Sequence, residues 1–76
     1  MSWVLLAFEK EGDAFVAEIS LPESIDHAAV KSLVGDYPNL RGDSFPVTGA
    51  SLDRLADVLK GEVRPGDYDY FIEFRE

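Results

Sequence analysis

The apolar residues of this chain follow two spacings, one that alternates and one that recurs every three or four positions. "SWVLLAFEK" (2–10) is a short apolar run closed by charges, "EGD" (11–13) is turn chemistry, and "AFVAEIS" (14–20) returns as a second run. Residues 2–21 therefore read as a β-hairpin, with Gly12 available for the positive φ of its turn. In the returning strand Phe15, Ala17, Ile19 and Leu21 share one face, and Val16, Glu18 and Ser20 share the other. Pro22 stops the hairpin. Asp26 suits a helix N-cap, Ile25 a staple onto Val30, and Gly35 the residue just past the helix, so a first helix is predicted over 26–34. Its apolar stripe is Ala29, Val30, Leu33 and Val34.

Residues 35–47 are the least regular stretch, and within them Phe45 and Val47 are predicted to form a short edge strand. Thr48 is placed to cap a second helix, in which Leu52, Leu55, Ala56 and Leu59 recur at helical spacing, and Gly61 ends it. Pro65-Gly66 reads as the central pair of a type II turn. A last strand follows over 68–75, where Tyr70, Ile72 and Phe74 face one way.

The order strand, strand, helix, edge strand, helix, strand predicts an α+β fold, an antiparallel sheet with both helices packed on one face. The first strand is apolar on both sides, so alternation alone does not orient it, and a one-residue slip inverts it. Our expectation puts Val4, Leu6 and Phe8 beneath the helices with Phe15, Ala17, Ile19, Tyr70, Ile72 and Phe74. Trp3, Leu5 and Ala7 then point the other way, beside Val16 and Phe71, with Glu18, Asp69 and Glu73 around them. An apolar patch with an acidic rim is the mark of a contact surface. Two other arrangements hide the same patch: a helix on each face, or a homodimer.

Composition narrows the function. Seventy-six residues are expected to form one domain, 1–76, with a modest core and without a signal peptide or membrane span. Fifteen acids against seven bases give a formal charge of −8, which repels phosphate and argues against nucleic acid or a lipid surface as partner. With no cysteine there is neither a disulfide nor a thiolate metal site, in keeping with a cytoplasmic location.

Catalytic chemistry is sparse. Ser24, Asp26 and the single histidine, His27, are close in sequence, but a helix start splays them, and capping is the ordinary role there. Asp67 and Asp69 share a strand face without the further oxygen ligands of a cation loop. No glycine-rich phosphate loop exists. We expect no enzyme activity, no cofactor, no metal and no small-molecule substrate.

"FEKEGDAFVAEISLP", "DHAAVKSLVGDYPNLRGDSFPVT" and the terminal "DYDYFIEF" together resemble a family of small acidic bacterial immunity proteins encoded beside polymorphic, interbacterial toxin genes. The cues are the "FPVT" before the second helix and the closing "YDYFIEF". This resemblance implies an inhibitor that occludes the active site of a cognate toxin enzyme, with an NAD(P)-degrading toxin expected ahead of a ribonuclease. It transfers no binding residue. The expected contacts therefore come from the residues themselves: Trp3, Glu18, Asp69, Phe71 and Glu73 on the sheet, and Tyr37, Arg41 and Asp43 in the loop. The rival reading is a homo-oligomeric structural or regulatory module that buries the same patch against itself.

Overall fold

The computed structural model describes residues 2–35 and 42–75. Two of the expected contacts, Tyr37 and Arg41, lie outside the described residues. The elements are β1 (Ser2–Glu9), β2 (Phe15–Ser20), α1 (His27–Val34), β3 (Ser44–Val47), α2 (Gly49–Leu59) and β4 (Tyr68–Arg75). They form an α+β fold with one antiparallel sheet in the order β2-β1-β4-β3, and the elements follow one another as the sequence predicts.

Local chemistry explains most boundaries. Asp26 caps α1: its carboxylate accepts from the Ala29 N–H at 2.9 Å, and Gly35 closes the other end with φ 104°. Thr48 stands at the N-cap of α2 but its hydroxyl makes no capping bond. Lys60 ends that helix in a left-handed conformation (φ 32°), followed by Gly61 at φ 90°. The turn into β4 is closed by the Asp67 N–H donating to the Arg64 carbonyl at 3.0 Å. Gly66 does not take the positive φ that a type II turn requires at that place, so the turn is of another type.

The core lies between the sheet and both helices. Val30 of α1, with Leu52, Leu55 and Leu59 of α2, packs on Trp3, Leu5, Ala7, Phe45, Val47, Tyr70 and Ile72. This inverts the expected orientation of β1. The register pairs Leu5 with Ile19 and Ile72, and Ala7 with Ala17 and Tyr70, so the odd residues of β1 meet the apolar side of both neighbours. Val4, Leu6 and Phe8 face away from the helices. Trp3, expected as a partner contact, is 5 % exposed, with its ring 5.0 Å from that of Phe74.

A second correction concerns Phe15. The β1–β2 register shifts between Ala7 and Phe8, so Phe15 pairs with Phe8 and leaves the face of Ala17 and Ile19. It is 60 % exposed.

Candidate protein-binding face

The helix-free side of the sheet is built by alternation. From β1 it takes Val4, Leu6 and Phe8; from β4, Asp69, Phe71, Glu73 and Arg75; from β2, Glu18 and Ser20; from β3, Ser44 and Pro46. Two regions with different chemistry divide it.

At the end near the hairpin turn, three phenylalanines form a cluster. The Phe8 ring lies edge-on to Phe15 at 5.8 Å and to Phe71 at 5.6 Å, the offset geometry that aromatic quadrupoles favour. Phe8, Phe71, Asp13 and Ser44 line an open depression of about 380 Å³. Beside it, the Lys10 ammonium pairs with Asp69 at 3.0 Å, both side chains about half exposed.

At the other end a polar strap crosses all four strands. The Ser44 hydroxyl of β3 donates to Glu73 of β4 at 2.7 Å, and Glu73 pairs with Arg75 of the same strand. Arg75 then reaches over β1 to Glu18 of β2, donating through Nη2 at 3.0 Å and Nε at 3.3 Å. The bond that Arg75 donates to Glu18 is the main cause holding its guanidinium above the ordinary pKa, with Glu73 adding its charge. Val4 and Leu6 lie on this side of β1, yet are only 3 % and 8 % exposed. Central strand position and the aliphatic stems of the charged neighbours shelter them.

The expected site residues thus separate. Glu18, Asp69, Phe71 and Glu73 share the helix-free face, Asp43 is exposed just before β3, and Trp3 sits on the opposite side in the core. The three face acids each hold a basic side chain of this chain, so the rim is less negative than a count of carboxylates suggests. Sequence reasoning missed Phe8 and Phe15. The shift between Ala7 and Phe8 that turns Phe15 over leaves no sign in the alternation.

Away from this face, Asp26 spends its carboxylate on the α1 cap while His27 is exposed, its ring 6.3 Å from that of Trp3. Among the described residues no three His, Cys, Asp or Glu side chains gather in a way that could hold a metal ion. Among them, too, no helix is long and apolar enough to cross a membrane.

Fold and face define a small α+β domain with helices on one side of its sheet and an aromatic cluster beside ion pairs on the other. The chain belongs to the family described as Domain of unknown function (DUF7683), which it matches over residues 2–73. No curated protein and no solved structure matches it.

Proposed function

We propose that the protein is a cytoplasmic immunity protein that binds a cognate bacterial toxin enzyme through the helix-free sheet face and occludes its active site. The observation that carries this reading is the Phe8–Phe15–Phe71 cluster at one end of that face, in which Phe15 is exposed and Phe8 and Phe71 are half-buried. Full burial of a phenylalanine is worth roughly 1.5–3 kcal/mol, and the fold collects less than half of that from Phe15. A partner that covers the cluster collects the rest. The charge of −8 fits a basic substrate cleft, and electrostatic complementarity speeds such an encounter. The resemblance in "FPVT" and "YDYFIEF" supplies the class of partner, with NAD(P)-degrading toxins ahead of ribonucleases.

The test is inhibition. The toxin domain encoded by the adjoining gene is purified, and its NAD(P) consumption and RNA cleavage are measured with and without this protein. Inhibition at a one-to-one ratio is expected. Phe71→Ala should weaken it by roughly 30-fold or more, the equivalent of about 2 kcal/mol for an interface anchor. An adjoining gene without a toxin domain, or undiminished inhibition by both Phe71→Ala and Phe8→Ala, overturns the reading.

A further inference from the structure

We propose that the outer edge of β2 takes up an extended, basic segment of the protein partner as a fifth strand of the sheet. The sheet has two edges, and they differ. β3 is four residues long, contains Pro46, which has no N–H to offer, and is packed by α1. β2 has six residues and neither proline nor lysine. Its single charge, Glu18, is drawn inward over β1 by Arg75, so it does not guard the edge.

The backbone is available there. The Leu21 N–H donates to the Trp3 carbonyl and the Glu9 N–H to the Ala14 carbonyl, so Trp3, Leu5 and Ala7 turn their backbone groups toward β2. In an antiparallel ladder the alternate pairs, Val4 with Ser20 and Leu6 with Glu18, are the non-bonded ones. The N–H and C=O groups of Glu18 and Ser20 therefore point outward, the template for strand addition. Phe15 and Val16, two of the large apolar side chains left exposed, stand on the same strand.

Charge selects the occupant. Residues 11–30 contain no lysine or arginine, and besides Glu18, which Arg75 already pairs, they carry Glu11, Asp13, Glu23 and Asp26. A second copy of β2 would set these acids against themselves, whereas a strand rich in lysine or arginine is drawn in. The inference rests on the preceding reading only in requiring a protein partner.

The probe is a soluble synthetic peptide of about ten residues alternating lysine with valine and threonine, the length that spans one edge strand. An acidic peptide with glutamate in place of lysine is the control. Amide hydrogen exchange of the folded protein is followed by NMR. The expected result is that the basic peptide slows exchange at Glu18 and Ser20 by about tenfold or more and leaves the β3 amides unchanged, while the acidic peptide does neither. Ser20→Pro removes an outward N–H from an edge strand, which such a strand tolerates, and should weaken peptide binding by about tenfold or more at an unchanged thermal midpoint. Unaltered exchange at Glu18 and Ser20 in the wild-type protein overturns the inference. Changes confined to Phe8, Phe15 and Phe71 also overturn it, while the face reading survives. Protection of both amides without peptide, rising with protein concentration, overturns it in favour of a second copy.

Discussion

Neighbouring residues of β4 do opposite work. Tyr70 is 3 % exposed beneath the helices, and its hydroxyl accepts from the Arg64 N–H at 2.9 Å, tying the strand to the turn before it. Phe71, one position on, lies on the other side against Phe8. Tyr70→Ala should cost roughly 3–5 kcal/mol of stability, by analogy with other large-to-small aromatic changes, whereas Phe71→Ala should cost no more than about 1 kcal/mol. Denaturant unfolding of the two variants checks the pair, and equal losses would show that Phe71 is structural. Trp3→Ala belongs with Tyr70→Ala: expected to cost roughly 3–5 kcal/mol and to leave the binding surface in place. At Lys60 the backbone is left-handed, a conformation that L side chains adopt at a cost and glycine does not. Lys60→Gly should therefore raise the thermal midpoint, by a gain of about 0.5–1 kcal/mol. A lowered midpoint would mean the lysine stem contributes more than its backbone loses.

At the scale of the element, the sequence disclosed what strand β2 and the helices do because each has one apolar side. From residue 17 onward, Ala17, Ile19 and Leu21 against Glu18 and Ser20 leaves no ambiguity, nor does the leucine spacing of α2. β1 defeats the same method because both of its sides are apolar, and both are buried in the fold: Trp3, Leu5 and Ala7 on one, Val4 and Leu6 on the other. Its orientation was nonetheless implied by the turn. A hairpin symmetric about Gly12 pairs Leu5 with Ile19 and Ala7 with Ala17, as observed, and that pairing sends Trp3 to the helices. The shift at Phe8 is different in kind, since an extra residue breaks the alternation from which faces are read. Of the three aromatic residues of the candidate face, Phe71 followed from its strand, and Phe8 and Phe15 did not. Among the helices, α1 has only eight residues and depends on its cap and on Val30. Asp26→Ala should cost about 1 kcal/mol, read from the unfolding midpoint, with Asp26→Asn recovering most of it because it keeps the accepting oxygen.

For the molecule as a whole, charge and shape make separable predictions. Fifteen acids on one small body repel one another, so added salt should stabilise the isolated protein and slow its association with a basic enzyme, with less effect on dissociation. Thermal melts and surface-capture kinetics across ionic strength measure both. An association rate indifferent to salt leaves apolar contact alone as the source of recognition. The free protein should be a monomer or weak dimer by light scattering. A tight dimer burying Phe8, Phe15 and Phe71 would instead favour the self-assembling module.

The strand order has a consequence for how the molecule can be taken apart. β4 comes last in sequence but lies between β1 and β3, holding pairs as distant as Ser2 with Arg75. Without it, β3 has no partner and the hairpin no second flank. The sheet is therefore indivisible until a late piece is inserted, the layout of a two-component device rather than of a string of autonomous units. Cleavage within the Arg64–Asp67 turn, followed by separation of the pieces, should leave the larger one without stable structure. Returning a peptide of residues 64–75 should restore the native circular dichroism, with the slow closure typical of non-local pairing. A larger piece that keeps its native spectrum alone would show that the hairpin and helices form a core without β4.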